Sequence, residues 1–377
     1  MLNKPHVTLI TLVLCLICAF TSSKLLAKSN SQTITQQKIS ESFYIVDFYG
    51  SKVGISIGDD GVLVVDTLLA KHKEALLATI RQLTDKPIKY VINTHADYDH
   101  TGGNALLAEN GATIVMQNNA LFSNAYGELY FDKKLELDFN NERIQAVSIP
   151  SHSFSDSLIF FDKSNLVFMG DILGNKSHPT FYAGGVEGMN NAFEKAMSLG
   201  DENTLFVSSH GYTVNRAKLV FHRDAVNAYL KKLKELYSNG ITAAEELIKN
   251  PEIQRIVQLF NGENRVNNVN EKRLLRFIKR TIASELIPQV TVNSNLQKLE
   301  GHFKDSTGEL FEVAYKENRL FLQIAGVTMR ELVQVGRDDF HLFGEIPAEL
   351  KVQIIEKQGS YKLYLIQGSD ITEYSRI

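Results

Sequence analysis

Cysteine is scarce in this chain: the only two, Cys15 and Cys18, fall within the first 20 of 377 residues. Two cysteines cannot form the disulfide framework of a small secreted scaffold, so that class of protein is excluded. If the segment that carries them is removed, the remaining chain has no thiolate with which to bind a metal ion.

An excess of charge of one sign is lacking as well. Lys and Arg number 40 and Asp and Glu number 43, which gives a formal net charge of −3. This balance gives no support for a broad polyanion-binding surface, so we expect a small-molecule substrate and no nucleic-acid partner. The 44% hydrophobic and 22% charged residues are typical of a globular protein and exclude collagen, coiled coil and bulk disorder. The length favours two domains.

Long apolar runs are missing except at the N-terminus. There, an almost unbroken apolar run extends from Val7 to Phe20 behind a positive Lys4. A membrane-spanning helix needs about 20 apolar residues, so the shorter run predicts a secretory signal peptide over residues 1–27. A lipoprotein anchor and an uncleaved membrane anchor remain alternatives. We therefore expect a periplasmic or secreted protein with no stable membrane insertion after cleavage.

Short apolar stretches and turn residues follow a polar leader at 28–38. A helix is expected over Leu68 to Leu83, and Gly58-Asp59-Asp60-Gly61 is typical of a hairpin turn. Two groups of strands interleaved with helices predict a layered α/β sandwich. The expected strands are 43–48, 53–57, 62–65, 88–92, 113–116, 133–139, 143–148, 157–161, 165–169 and 204–208.

The pattern changes after Val214. Apolar residues at helical spacing predict a long helix that ends at Gly240, with His222 on its exposed face, and more helix at 243–249 and 271–286. From Leu299 onward only short, partly alternating strands remain, which favours an antiparallel meander or small barrel. We therefore divide the chain after the signal peptide into a 38–288 domain with a helical extension and a 297–377 β domain.

The most informative stretch of the sequence is 94–104, directly after an apolar strand. It places His95, Asp97, Asp99 and His100 within six residues. A loop that leaves a strand end can direct side chains of this spacing into one cavity. Divalent metals of borderline hardness bind such a mixture of imidazole nitrogen and carboxylate oxygen. A solvated turn with a charged helix cap is the simpler interpretation, but four such side chains at this spacing argue against it.

At this point the sequence resembles the metallo-β-lactamase-fold hydrolase superfamily. The family motif His-x-His-x-Asp-His, followed by Gly-Gly, is matched at residues 95–103, except that Asp97 stands in place of the second histidine. Downstream, similar motifs surround His152, Asp171 and His210, and the segment 53–67 is similar to the opening hairpin of the family. The resemblance covers residues 40–238 and implies a four-layer αββα sandwich.

The resemblance also implies a dinuclear metal centre. Site one would consist of His95, Asp97 and His152, and site two of Asp99, His100 and His210, with Asp171 bridging the two. Metal-activated water would then hydrolyse an ester, lactone or amide bond, with Asp99 as the catalytic residue to test. Cleavage of a phosphodiester remains the alternative reaction, and a non-catalytic metal- or ligand-binding protein on the same scaffold is the alternative of another class.

Asp97 is the one departure from the motif. Three carboxylates and a hydroxide would balance the charge of two divalent cations, whereas a histidine at this position would leave one positive charge. We expect zinc first, but a harder oxygen ligand shifts the preference toward manganese or iron. A mononuclear site and a site that has lost its metal are the alternatives to two ions.

Two further features are left open by the sequence. His178, in the loop after Asp171, is a candidate for substrate contact, and Asp66, at the end of its strand, is a candidate support of the ligand loop. The 297–377 strands resemble a small lipocalin-like domain, which would either present ligand or serve in packing or dimerisation. The oligomeric state is not indicated by the sequence.

Overall fold

The structure is a computed structural model. It describes residues 33–123, 125–176, 178–260, 271–286, 295–316, 318–323, 330–343 and 350–377. The predicted signal peptide, residues 1–27, lies outside these residues. Among the helices in the described ranges, none is both long and apolar enough to cross a membrane.

Seven strands form the first sheet, in the order in which they occur in the chain. Neighbours from β1 to β4 are antiparallel, and neighbours from β4 to β7 are parallel. The predicted hairpin turn is present, since Gly58 pairs with Gly61 across Asp59-Asp60. The strands are β1 Ile34–Lys38, β2 Phe43–Phe48, β3 Ser51–Gly58, β4 Gly61–Val65, β5 Ile88–Ile92, β6 Thr113–Gln117 and β7 Leu129–Phe131.

The second sheet has six strands in the order β13-β12-β11-β10-β9-β8. All its neighbours are antiparallel except β11 and β12, which are parallel. The strands are β8 Lys134–Phe139, β9 Glu142–Ser148, β10 Ser157–Phe161, β11 Leu166–Phe168, β12 Leu205–Val207 and β13 Val214–Asn215.

Helices occur between and after these strands. They are α1 Lys73–Leu83, α2 Tyr98–Thr101, α3 Asn104–Glu109, α4 Gly185–Leu199, α5 Arg216–Ser238, α6 Ala244–Leu247, α7 Pro251–Phe260 and α8 Glu271–Glu285. Short 3-10 turns are formed by Ala70–His72, Asn118–Phe122, Gly170–Ile172 and Leu296–Leu299.

The layers of the sandwich follow from the alternation of side chains along the strands. In β4, Leu63 and Val65 point between the two sheets, while Val62 and Val64 face α1 and α3. In β10, Ile159 and Phe161 point between the sheets, while Leu158 and Phe160 face α4, α5, α7 and α8. Three separate hydrophobic clusters therefore fill the three interfaces of a four-layer αββα sandwich, which confirms the predicted fold class.

Eight antiparallel strands close the C-terminal part into a barrel, in which β14 pairs with β21. Its interior is a fourth cluster that includes Phe303, Leu320, Phe340 and Val352. The strands are β14 Gly301–Lys304, β15 Leu310–Lys316, β16 Arg319–Gln323, β17 Arg330–Gln334, β18 Asp339–Leu342, β19 Lys351–Lys357, β20 Ser360–Gln367 and β21 Asp370–Arg376.

Several local predictions were wrong. The helix expected from Leu68 begins at Lys73, because Leu68 has a positive φ and its carbonyl accepts a hydrogen bond from Gly102. Residues 34–38 of the polar leader form β1, an exposed strand that pairs with β2 through backbone hydrogen bonds. Among the helices of ten or more residues in the described ranges, α4 and α7 were not predicted.

His222 is a further correction, since it is buried and not exposed on α5. Its ring stacks on that of Phe193 in α4, with 6.0 Å between the ring centroids. Helices α4 and α5 pack on each other there, so the face of α5 that meets α4 includes this histidine. The helical period alone does not reveal a second helix on that face, and α4 was missing from the prediction.

The buried state of His222 predicts acid sensitivity. Burial lowers the pKa of His222 to about 4, from 6.5 in an exposed setting. Between these two values the unfolded chain binds a proton that the folded chain does not, so the stability falls as the pH falls through 6.5. The linkage amounts to about 2 kcal/mol between pH 7 and pH 5.

We therefore expect His222→Leu to reduce the loss of stability between pH 7 and pH 5 by about that amount. The measurement is urea unfolding at both pH values. His302→Leu, at an exposed position of β14, serves as the control and should retain the wild-type loss. If His222→Leu loses as much stability between pH 7 and pH 5 as wild type, burial of His222 is not the cause of the acid sensitivity.

Candidate metal centre

All seven predicted ligands lie on loops that follow strand ends. His95, Asp97, Asp99 and His100 come after β5 in the first sheet, with the last two in α2. The others come from the second sheet: His152 follows β9, Asp171 follows β11 and His210 follows β12.

The direction of the strands explains why these loops meet. Strands β9, β11 and β12 run the same way, because β10 lies antiparallel between β9 and β11 and β12 is parallel to β11. Their ends therefore lie along one edge of the second sheet. The first sheet joins this edge through a hydrogen bond of 2.7 Å from the amide of Ser157 to the carbonyl of Thr94.

Site one is a compact group of two imidazoles and one carboxylate. The Oδ2 atom of Asp97 lies 3.3 Å from Nε2 of His152 and 3.6 Å from Nε2 of His95. One ligand atom from each of the three residues falls within 4.8 Å of the others. Asp97, the residue that departs from the family motif, is therefore placed where it can bind the same ion as the two histidines.

Site two has the same character. Nε2 of His210 lies 3.1 Å from Oδ2 of Asp99 and 3.2 Å from Nε2 of His100. Oδ1 of Asp171 lies 3.5 Å from Nε2 of each of these two histidines. His95, His100 and Asp171 form a third group within 4.8 Å, so Asp171 lies between the sites, as a bridging ligand would.

The donor set fits divalent metal ions. Nε2 of His95 and Oδ1 of Asp171 are buried and have no hydrogen-bond partner in the described part of the chain. Burial of polar atoms without partners is costly. Coordination of an ion is the simplest way in which a cluster of imidazole nitrogens and carboxylate oxygens satisfies such atoms.

The Nδ1 atom of each histidine has a neighbour on the side away from the centre. For His100, that neighbour is the buried Asp66, whose Oδ2 accepts a hydrogen bond of 2.9 Å. For the other three it is a hydroxyl oxygen at 2.5 to 3.2 Å. A hydrogen bond at Nδ1 leaves Nε2 as the ligand atom and fixes the plane of the ring. The hydroxyl partners are Thr94 for His95, Thr180 for His152 and Ser51 for His210.

Without ions, the carboxylates are held in the charged form by the histidines. Burial alone would raise the pKa of Asp97, but the hydrogen bond with His152 and the positive charges of His95 and His152 hold it well below its usual range. The same balance applies to Asp99: burial raises its pKa, but the hydrogen bond with His210 and the charges of His100, His210 and His95 together lower it below its usual range.

The histidines carry the opposite shift. Burial would lower the pKa of His100, but the charges of Asp66 and Asp171 raise it to about 10. Asp97 likewise raises the pKa of His152 above its ordinary value, against the effect of burial. Binding of a metal ion would therefore displace protons from these histidines, since an imidazole binds metal only in its neutral form.

The pair Gly102-Gly103 allows the ligand loop to lie against the Thr67–Ala70 loop. A Cβ on Gly102 would lie 2.2 Å from the amide nitrogen of Ala70, and one on Gly103 would lie 2.7 Å from the carbonyl oxygen of Thr67. The neighbouring backbone also bonds to this segment, because the Thr67 amide donates to the carbonyl of His100. Both glycines are thus required by close packing of two backbones.

Other residues near the ligands in the sequence or in the structure have distinct positions. His178 stacks on Phe277 at 4.9 Å and lines a cavity of about 190 Å³ with Tyr182 and residues of α8. Tyr98 is exposed and Phe154 is buried. Asp66 supports the ligand loop, as anticipated. Ser51 and Thr180 were not identified, because no spacing in the sequence links either of them to a histidine more than 25 residues away.

Comparison with known proteins shows what this chain is similar to in sequence and in fold. Residues 53–210 match the sequence model of the metallo-beta-lactamase superfamily. A hydroxyacylglutathione hydrolase from Pelagibacter ubique is 30% identical over 165 residues, which cover 40% of this chain and 64% of that protein. A probable hydroxyacylglutathione hydrolase from Schizosaccharomyces pombe is 27% identical over 152 residues, covering 38% and 58%. The chain thus spans less than two thirds of the length of these relatives.

The solved structure of the inverting sec-alkylsulfatase Pisa1 from Pseudomonas sp. is similar in fold, with a TM-score of 0.53 and 14% sequence identity. The match covers 65% of this chain and 49% of that one. It therefore extends beyond residues 53–210.

Close packing at Gly102 predicts the effect of adding one methyl group there. Gly102→Ala must push the Leu68–Ala70 backbone away from α2, which moves Asp99 and His100. We expect a loss of stability of about 2 kcal/mol or more and at least about tenfold weaker metal binding. Ala105→Ser, at an exposed position of α3, is the control. Thermal unfolding and metal titration are the measurements, and wild-type values for Gly102→Ala contradict the packing argument.

Proposed function

From the premise that residues 53–210 form a metallo-beta-lactamase superfamily domain, we propose that this protein is a metal-dependent hydrolase. Its substrate would be a small molecule with an ester, lactone or amide bond. The observation that carries the proposal is the convergence of four histidines and three aspartates, from both sheets, into three overlapping groups of ligand atoms.

Two divalent ions bound there would supply a water nucleophile at neutral pH and polarise the scissile bond. The chain itself contributes the ligand positions and their support. Asp66 keeps the Nε2 atom of His100 directed at the centre, and Asp99 and Asp171 lie beside His210. Asp99 lies beside two histidine ligands: its Oδ1 is 3.8 Å from Nε2 of His100, and its Oδ2 is 3.1 Å from Nε2 of His210. Loss of the Asp99 charge should therefore disturb the centre more than loss of one hydrogen-bond partner of a histidine.

The substrate would approach from the side of site two. The side chains of His210 and Asp99 are 35% and 29% exposed, whereas those of His95 and His100 are 1% and 2% exposed. Tyr98 and Tyr212 are exposed next to these ligands in the sequence. They are our candidates for contact with the apolar part of a substrate.

We propose zinc as the metal, with manganese or iron as alternatives. The carboxylate of Asp97 in site one is a harder ligand than the histidine of the family motif, which favours the harder cations. We propose hydrolysis of an acyl bond rather than of a phosphodiester, because two relatives of this chain are named hydroxyacylglutathione hydrolases.

The test is to strip the protein with a chelator, reload it with zinc, manganese or iron, and measure rates on chromogenic esters, a thioester, a lactone, a β-lactam and a phosphodiester. We expect acyl substrates to be cleaved only after reloading. Asp99→Asn should lower the rate at least about 100-fold, which corresponds to about 2.7 kcal/mol of activation free energy. Its fold should stay intact.

Asp370→Asn, at an exposed position of β21, is the matched control for loss of one carboxylate charge. Full activity of the chelated protein or of Asp99→Asn contradicts the proposal. Faster cleavage of the phosphodiester than of every acyl substrate supports the alternative reaction. Metal binding without turnover of any substrate supports the non-catalytic alternative.

We also propose that the protein is exported to the periplasm or secreted, on the strength of Lys4 and the apolar run from Val7 to Phe20. Intact-mass analysis of the protein after cell fractionation measures this. The expected product is an exported chain that begins between about residues 20 and 30, in agreement with the usual length of a signal peptide. A full-length product that remains in the cytosol contradicts it.

A further inference from the structure

Strand β16 has one aromatic side chain, Phe321, that points away from the interior of the barrel. Leu320 and Leu322 point into the barrel core, while Phe321 between them belongs to a separate cluster with Phe154 and Ala183. The ring of Phe321 meets that of Phe154 edge-on, with 4.9 Å between centroids. Phe321 is only 2% exposed, so this outward side chain is buried against the metal domain, by which we mean the αββα sandwich with its helices and metal ligands.

Phe154 is fixed by further groups of the barrel. The guanidinium of Arg319 lies 5.4 Å from the ring centroids of both Phe154 and Phe321. Lys316 of β15 donates a hydrogen bond to the side-chain oxygen of Asn119, whose amide donates to the carbonyl of Phe154 at 2.6 Å. Since Phe154 lies two residues after His152, these contacts hold the loop that carries a ligand of site one.

A second contact reaches the other loop beside His152. The guanidinium of Arg330, in β17, lies 3.3 Å from the ring centroid of Tyr182. The ring of Tyr182 meets that of His152 edge-on at 5.7 Å. Thr180, two residues earlier, is the hydroxyl partner of Nδ1 of His152. The barrel thus contacts both segments between which the imidazole of His152 lies.

We propose that the barrel is a positioning element for site one. It fixes the loops around residues 150–154 and 180–183, and so fixes the ring of His152, without supplying a ligand. The proposal rests on the metal centre of the proposed function, but it concerns one of the two sites. The supports of site two, Asp66 and Ser51, bond to partners within the metal domain among the described residues.

The test compares the two metal affinities in full-length protein. Metal-free wild type, Phe321→Ala and Arg330→Ala are titrated with Zn²⁺ and with Co²⁺, whose absorption spectrum reports the coordination. Stoichiometry is counted by native mass spectrometry, and thermal unfolding of the metal-free proteins checks the fold. Lys357→Ala is the matched control, because Lys357 lies 4.9 Å from the ring of Tyr364 and both belong to the barrel.

We expect each of the two variants to weaken one of the two binding steps about tenfold, as loss of an outer support does. The other step and the control should stay within twofold of wild type. If both variants bind metal with wild-type affinity in both steps, the positioning role of the barrel is overturned, while the proposed function stands. Equal weakening of both steps overturns it too, because the barrel then contributes only general stability. A wild type that binds no metal overturns this proposal and the proposed function together.

Discussion

The hydrogen bonds to the buried carboxylate of Asp66 are the interaction on which the rest of the centre depends. Asp66 stands at the end of β4 with a positive φ, and it accepts hydrogen bonds from the amide and hydroxyl of Thr94 and from His100. Ser209, beside His210, lies within 3.4 Å of the same carboxylate. A buried carboxylate without partners would be very unfavourable, so the folded chain must bring the loops after β4, β5 and β12 together. The positions of three ligands follow from that junction, since His100 belongs to it and His95 and His210 directly follow Thr94 and Ser209.

The barrel adds a second constraint, of another kind. The Asp66 junction is polar and local to the two sheets, whereas the barrel contacts Phe154 and Tyr182 through rings and guanidinium groups. The two constraints act on different ligands of the centre: one orients the ring of His100, and the other reaches the loops around His152. These contacts are of the packing kind considered from the sequence, and the proposed positioning of His152 goes beyond packing.

Much of the sandwich and the candidate ligands could be predicted from the sequence, for physical reasons. Strand periodicity is local, and so the strands between 43 and 208, apart from the unexpected three-residue β7, lie within two residues of their expected positions. Four of the ligands lie within residues 95–100, and the later ones follow strands. The other misses are non-local. The burial of His222 depends on Phe193 of α4, and the start of α1 depends on the backbone of Gly102. The contact of Phe321 with Phe154 joins residues 167 positions apart, and a sequence pattern cannot contain it.

We propose that seven side chains from two sheets form one dinuclear metal centre. Anomalous diffraction from crystals of the metal-loaded protein, recorded on both sides of the absorption edge of the metal, locates the ions. We expect two peaks, one within reach of His95, Asp97 and His152 and the other within reach of Asp99, His100 and His210, with Asp171 between them. A single peak, no peak, or peaks away from these residues in fully loaded crystals would contradict it.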